Sequence, residues 1–338
     1  MATFDLHGEY ATPKNLAGIT PASAFDLNGN VVFSAYSIDN IESYFRQATL
    51  DTSDEVNALS DDWQSFVFIT DPHGNGNKQH SQEIGLYLLA NTKAFMLVLG
   101  GDYSISDWSK TEYETYTGPF TESAYIKDIY AVFGNHEKLG GNEAEAKSCI
   151  YNDFLRDKTG LSGNLQENYY CFDVEKTKTR YVFLNTSNGN HQYRMAAAQI
   201  SWLAQKAILP DSDWSLVVIG HVSIAVMGGV TEENELNGTD VIDAIENCNG
   251  TIVGYICGHQ HCDITEKIGK FQHTTLICDK FENSNYYPGI SVTDRVTGTI
   301  SEQAVSVVSI NTTTKDVVIR RIGAGRNQTL SYNYAETE

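Results

Sequence analysis

Six apolar runs rich in β-branched and aromatic side chains punctuate the chain, and each stops abruptly on polar residues. Residues 66–69 run into Thr70-Asp71-Pro72-His73, 95–99 into Gly100-Gly101-Asp102, and 129–133 into Gly134-Asn135-His136-Glu137. Residues 181–184 run into Asn185-Thr186, 216–219 into Gly220-His221, and 251–256 into Cys257-Gly258-His259-Gln260-His261. Runs of this length and composition predict buried strands, and functional side chains gather where strands end and loops begin. One edge of one sheet core is therefore expected to collect carboxylate, carboxamide and imidazole groups from distant parts of the sequence.

Helical patterns lie between the strands. Ile84, Leu86, Leu88 and Leu89 predict a helix over 81–91. Ile200, Leu203, Ala204 and Ala207 stand at i, i+3, i+4 and i+7, one apolar face of a helix over 199–208. Two apolar runs, 304–310 and 316–322, flank the polar stretch 311–315 and predict a hairpin that closes a sheet. Residues 1–60 differ from the rest, with a weak strand signal at Val31-Val32-Phe33, a helix expected from Ile41 to Ala58, and no residues suggesting chemistry. They are expected to form an N-terminal extension or an extra layer, and are a candidate attachment element. Residues 61–338 are expected to be one catalytic domain that includes the C-terminal hairpin.

Composition narrows the function. With 338 residues, 41% hydrophobic and 20% charged, the chain can bury a sizeable core. No stretch of about 18 apolar residues occurs and the first residues do not read as a signal, so membrane insertion is not expected and a cytoplasmic location is. A protein carried on a virus or released by lysis would read the same. The 23 Lys and Arg against 43 Asp and Glu give a formal charge of −20, which repels a nucleic-acid backbone and argues against duplex DNA as a partner. It would also repel a phosphate ester unless bound cations inverted the local field. The six cysteines form no regular framework and are read as free thiols; Cys257 and Cys262 flank the last motif and are read as buried structural residues.

The stops supply metal-binding chemistry. Asp71 and His73, two residues apart at a strand end, can grip one ion. Asp102, with two carboxylate oxygens, can bridge two ions where a histidine cannot. Asn135, His221 and His259 supply a neutral set, and His261 returns to the first. Mixed imidazole and carboxylate ligation favours transition metals, and paired divalent ions suit in-line phosphoryl displacement.

The ordered set Asp71-x-His73, Gly101-Asp102, Gly134-Asn135-His136-Glu137, Gly220-His221 and Gly258-His259-x-His261 resembles the calcineurin-like metallophosphoesterase superfamily over about residues 64 to 265. The resemblance implies a mixed α/β fold, a four-layer αββα sandwich of two mixed sheets flanked by helices, with the C-terminal hairpin in the second sheet. It implies two divalent transition-metal ions, manganese, iron or zinc. Asp71, His73, Asp102 and His261 would hold the first, and Asp102, Asn135, His221 and His259 the second. It further implies phosphoester hydrolysis by a metal-bridging hydroxide, with His136 as proton donor to the leaving group.

Departures from the family pattern refine this. No arginine follows Asp102, where the phosphoprotein phosphatases carry one, so a phosphodiester is slightly favoured over a monoester. Ile105 stands where purple acid phosphatases place a tyrosine ligand, which disfavours a purple ferric site. Asp107 is a candidate to orient His136, although a solvated loop acid is the plainer reading, and Glu137 is expected to cap the turn after His136. Asn135, His136 and His191 are candidate substrate contacts, with His80 a weaker one. Tyr113, Tyr116, Phe120, Tyr125, Tyr286 and Tyr287 crowd two presumed loops, which are specificity candidates, although core packing is the cheaper account of most of these aromatics. The substrate is expected to be a small molecule or a polymer end. The alternative is a structural or attachment component of a larger assembly, docked through residues 1–60, with a vestigial or accessory site.

Overall fold

The protein is described from a computed structural model, which covers residues 24–25, 31–33, 36–73, 80–190, 193–208, 213–227, 237–276, 279 and 295–332. A short antiparallel pair, β1 (Ala24–Phe25) and β2 (Val31–Phe33), precedes two large mixed sheets. The first holds β3 (Trp63–Ile69), β4 (Ala94–Leu99) and β5 (Ile129–Ala131) in parallel, extended from β3 by the antiparallel β13 (Ala304–Asn311), β14 (Asp316–Gly323) and β15 (Gln328–Ser331). The second is ordered β11 (Ile264–Ile268), β12 (Phe271–Thr275), β10 (Thr251–Cys257), β9 (Ser215–Ile219), β8 (Thr179–Phe183), β7 (Tyr169–Val174), β6 (Ser162–Asn164).

Alternation along the strands explains the layering, because successive side chains of a strand face opposite ways. In the second sheet Tyr181, Phe183, Val217 and Ile219 join the core shared with Phe66, Phe68 and Leu97 of the first sheet. Their neighbours Val182, Leu184, Leu216 and Val218 join a separate core with Leu203, Ala207, Val241 and Ile245. The strands are thus buried on both faces, which is why they read as continuous apolar runs rather than alternating ones. Contacts across the layers include the Phe66 and Tyr181 rings at 6.0 Å and the Tyr170 hydroxyl donating to the Ala131 carbonyl at 3.0 Å. The architecture is the αββα sandwich of two mixed sheets.

The helices cover the outer faces. Helix α1 (Ser43–Ala58) packs on β14, with Phe45 and Val56 in the main core and Glu55 accepting from Arg320 Nε at 2.6 Å. Helix α2 (His80–Asn91) packs on β3 and β4, followed in sequence by α3 (Lys110–Thr121) and α4 (Glu143–Ile150). On the second sheet lie α5 (Ala197–Trp202), continued by a π turn over Leu203–Ala207, and α6 (Gly238–Glu246).

Two expectations are corrected. The functional strand ends do not line one sheet: β3, β4 and β5 belong to the first, and β8, β9 and β10 to the second. The C-terminal hairpin joins the first sheet, where β13 pairs antiparallel with β3 from Ser306 opposite Phe68 to Asn311 opposite Trp63. Strand β3, buried along nearly its whole length, would otherwise end that sheet as an uncovered apolar edge. The hairpin turn is set by Asn311, whose Oδ1 accepts from the Thr313 and Thr314 amides at 2.8 Å each.

Candidate metal centre

The carboxyl ends of the site strands from both sheets meet at one place. Three groups of donor side chains gather there, each with its ligand-type atoms within 4.8 Å of one another: Asp71, His73 and His261; His73, Asp102 and His136; and Asp102, His221 and His259. Asp102 belongs to two of them. Its Oδ2 lies 3.1 Å from His221 Nε2, 3.7 Å from His136 Nε2 and 4.0 Å from His73 Nε2. Asn135 Oδ1 lies 3.1 Å from His221 Nε2, and His261 Nε2 lies 3.3 Å from Asp71 Oδ1 and 3.0 Å from His73 Nε2.

The backbone is bent sharply to bring these groups inward. Asp71, His73, Asp102, His259 and His261 all have left-handed backbone angles, with φ of +53°, +51°, +58°, +68° and +55°. Non-glycine residues seldom adopt this region, and such strain gathers where a site needs side chains aimed against the run of the chain. Glycines make the room. A Cβ on Gly134 would stand 2.2 Å from Asp102 Oδ1, and one on Gly258 would stand 2.2 Å from Asp71 Oδ2.

Hydrogen bonds then fix each donor. His221 Nδ1 lies 2.7 Å from the Gly100 carbonyl and His73 Nδ1 3.1 Å from the Ser104 carbonyl. A carbonyl only accepts, so both Nδ1 atoms carry hydrogen and both Nε2 atoms point inward, where each can offer a lone pair to a metal when it carries no proton, the arrangement expected of metal-binding imidazoles. His136 Nδ1 meets the Ser106 carbonyl in the same manner. The Asp71 carboxylate accepts from the His259 amide at 2.9 and 3.1 Å, and Asp102 Oδ1 from the His136 amide at 2.9 Å. Glu137, fully buried, accepts at 2.8 Å from each of the Asp102, Tyr103 and Gly134 amides.

The electrostatics call for a cation. Burial pushes the Asp71 and Asp102 carboxyls up, but the neighbouring imidazoles, His221 foremost, outweigh it and hold both well below the usual carboxylate range. Burial depresses His221, yet Asp102 and Asp71 prevail and raise it to about 9. Burial, reinforced by His261, takes His73 down to about 3, so it stays neutral. Two ionised carboxylates buried side by side draw a proton onto the imidazole between them, and a bound divalent ion would meet the same need while leaving that imidazole free to ligate. Oriented imidazoles and two buried, ionised carboxylates converging on one place fit a transition-metal pair.

A family model described as calcineurin-like phosphoesterase matches residues 64–263. The chain belongs to the calcineurin-like phosphoesterase family. This family is dinuclear and metal-dependent, and membership supports phosphoester hydrolysis as the chemistry of the site. No curated protein sequence matches the chain. Among solved structures, GAP50 of Plasmodium, described as the anchor in the inner membrane complex, is 13% identical with a TM-score of 0.50, over 80% of this chain and 89% of that one. A predicted phosphoesterase of Streptococcus pneumoniae is 13% identical with a TM-score of 0.37, over 81% and 99%. A putative 5'-nucleotidase of Staphylococcus aureus is 15% identical with a TM-score of 0.42; the match covers 80% of this chain and 54% of that one. At these identities the likeness concerns the fold.

Of the sequence-derived candidates, Asp71, His73, Asp102, Asn135, His136, His221, His259 and His261 come together. His191, Tyr286, Tyr287 and Cys278 lie outside the described residues. Some placements are corrected and other readings hold. Tyr113, Tyr116 and Phe120 lie on a helix rather than a loop, and as the buried face of α3 they are core, the cheaper of their two readings. His80 opens α2, buried, with Nε2 3.2 Å from the Tyr44 hydroxyl, facing α1 rather than substrate. Asp107 is exposed, as its plainer reading has it, and the backbone carbonyl of Ser106 orients His136. Glu137 does more than cap its own turn, since it braces the Asp102 loop. Thr186, at the one stop without a ligand-type side chain, accepts from the Val222 amide at 3.0 Å and so steadies the residue after His221. None of the five described cysteines is in a disulfide, and neither Cys257 nor Cys262 joins the three donor groups. No described helix is long and apolar enough to cross a membrane.

Proposed function

We propose that the protein hydrolyses a phosphate ester at a dinuclear centre, with Asp71, His73, Asp102 and His261 holding one divalent ion and Asp102, Asn135, His221 and His259 the other. The observation that carries this reading is the position of Asp102, one buried carboxylate shared between two donor groups. Bound there, such ions supply Lewis acidity toward phosphoryl oxygens and lower the pKa of water.

The chain's own residues do the rest. Asn135 and the amide-braced Asp102 loop form a rigid floor for the phosphoryl group. His136 is the proton donor to the leaving group: its side chain keeps 23% of its surface exposed, whereas those of Asp71, His73, Asp102, His221 and His261 keep 7% or less, and His259 is the one proposed ligand that is also partly exposed. It therefore faces the side from which substrate arrives, with Nδ1 held by the Ser106 carbonyl and Nε2 directed inward. A phosphodiester is favoured over a monoester, because Tyr103 and Ser104 follow Asp102 where an arginine would clamp a dianion. An attachment role through residues 1–60 has less support, since α1 spends its apolar face on the core, and the likeness to GAP50 rests on the fold.

The test is hydrolysis of bis-p-nitrophenyl phosphate against p-nitrophenyl phosphate after chelation and re-addition of manganese, iron or zinc. Turnover restored by metal, with the diester preferred, is expected. Stoichiometric binding of ions without turnover of either ester would sink the hydrolase reading and leave the attachment role.

A further inference from the structure

The loop that carries His259 and His261 is fastened at both ends. Its start is held within the centre, where the Gly258 amide donates to the His221 carbonyl at 3.0 Å and the His259 amide to the Asp71 carboxylate. Its end is held by the C-terminal hairpin, which lies outside the segment that matches the family. Asp263 stands two residues after His261. Its Oδ1 accepts from Arg321 Nη2 at 2.7 Å, and its Oδ2 accepts from the Arg326 amide at 3.1 Å. The Arg321 side chain is 2% exposed and that of Asp263 0%. Among the described residues, no other arginine–carboxylate pair is buried on both sides. The hairpin side is itself set, since the Arg321 amide donates to Asn327 Oδ1 at 2.7 Å in the turn between β14 and β15. Two residues beyond Asp263, Thr265 Oγ1 donates to Gln328 Oε1 at 2.9 Å, a second tie between β11 and the first sheet.

An ion pair is a poor way to hold two sheets together. Desolvation of both charges offsets their attraction, and an apolar pair of similar volume serves stability as well. The two sheets face each other largely through apolar side chains, Phe66 and Phe68 with Tyr181 and Phe183 among them. What the pair provides that an apolar contact does not is direction, because each carboxylate oxygen has its own donor and the side chain is left one orientation. Direction matters at this loop. His259 and His261 both hold left-handed backbone angles, with φ of +68° and +55°, a region that non-glycine residues keep when their surroundings impose it. Thr275 Oγ1 donates to the Cys262 carbonyl at 2.9 Å and ties the loop to its own sheet, so Asp263 is where the loop is tied across to the other.

We infer that Asp263 and Arg321 are positioning residues of the metal centre: through this pair the hairpin holds the loop of His259 and His261 in the bent form that aims both imidazoles. One ligand of each ion therefore depends on a side chain nearly 60 positions beyond the matched segment, at Arg321. This rests on the dinuclear reading and deepens it.

The test reads metal binding rather than turnover, by titrating manganese, and separately zinc, into the folded full chain and measuring the denaturation midpoint alongside. The variants are Arg321→Met, Arg321→Lys and the double variant Asp263→Leu with Arg321→Met. Arg321→Met is expected to weaken binding about 10–100-fold, as for other groups that orient ligands. Arg321→Lys keeps a donor for Oδ1 and should bind more tightly than Arg321→Met. Because Arg321→Met leaves a buried carboxylate without its cation and can fail to fold, the double variant decides. It fills the same space with apolar groups, and should keep the midpoint of the wild type while binding metal as weakly as Arg321→Met. Wild-type affinity in the double variant would overturn the proposal, and so would equal affinities for Arg321→Lys and Arg321→Met. Absence of binding of either ion by the wild type would instead overturn the dinuclear reading beneath it.

Discussion

The two sheets bring unlike chemistry to the centre. From the first come both carboxylates, Asp71 and Asp102, with His73, Asn135 and His136; from the second come imidazoles alone, His221, His259 and His261. Their support is unequal too. The first-sheet half is braced from within, Glu137 taking three amides of its own half. The second-sheet half leans on the first: the His259 amide binds Asp71, and His221 Nδ1 binds the Gly100 carbonyl. The difference teaches that the centre has a load-carrying side and a docked side. Damage to the first should dismantle the second, whereas the reverse need not hold.

The largest effect is therefore expected from Asp102→Ala. It removes the group shared by both donor sets and frees the His136 amide, so both ions should be lost and turnover should fall to background, read by metal content and kcat. His221→Ala is the matched variant on the docked side and should keep one ion per chain. Equal loss from both variants would break the comparison. His136→Ala comes next, with kcat expected to fall about 10²–10⁴-fold at unchanged metal content, the usual worth of a general acid. A parallel loss of metal would make His136 part of the donor set rather than the proton donor.

Glu137→Gln is smaller. Burial, with Asp102 adding to it, raises the Glu137 carboxyl to about 7, so near neutrality it is poised between forms and its bonds matter more than its charge. The amide of glutamine keeps one acceptor oxygen where the carboxylate offers two, leaving at least one of three buried amides without a partner. Metal affinity should drop about 10–100-fold, as for other groups that orient ligands. Unchanged affinity in isothermal titration would show that the first half does not depend on this brace.

These expectations rest on parts of the molecule that differ in how plainly the sequence announces them. The five motifs are legible because each is local: a doubly buried strand followed at once by its polar stop, as in 66–69 and Asp71. Strands β6 and β11 are not, because Ser162-Gly163-Asn164 is small, polar and exposed and Ile264-Thr265-Glu266-Lys267-Ile268 is more than half polar, so neither forms an apolar run. Helix α3 was hidden by Gly118-Pro119, although Tyr113, Tyr116 and Phe120, at i, i+3 and i+7, trace the helical face that is buried. The partners that orient the imidazoles, the carbonyls of Gly100, Ser104 and Ser106, are backbone atoms that any residue supplies, so no sequence pattern reveals them. Nor does the division of the six strand ends between two sheets show in the runs, which are buried on both faces in either sheet.

The smallest expected effect concerns two histidines of the second sheet and isolates what the carboxylates contribute. His221 and His273 are both fully buried, yet His221 is raised to about 9 beside Asp102 and Asp71, while burial lowers His273 to about 4. His273 stacks on Phe271 at 4.6 Å between ring centroids, and burial outweighs the one contact that favours its charged form, with the Phe271 backbone. Folded, it stays neutral until the pH nears 4, whereas in the unfolded chain it takes up a proton below about 6.5. The unfolded state thus binds more protons across that window, and stability falls as the pH drops from about 6.5 to 4, by about 3 kcal/mol in all. His273→Leu should flatten this acid slope by roughly one proton in chemical denaturation, with activity and metal content at pH 7 unchanged. A slope equal to that of the wild type would mean that burial does not hold His273 neutral, and His273 could then no longer serve as the uncharged counterpart of His221.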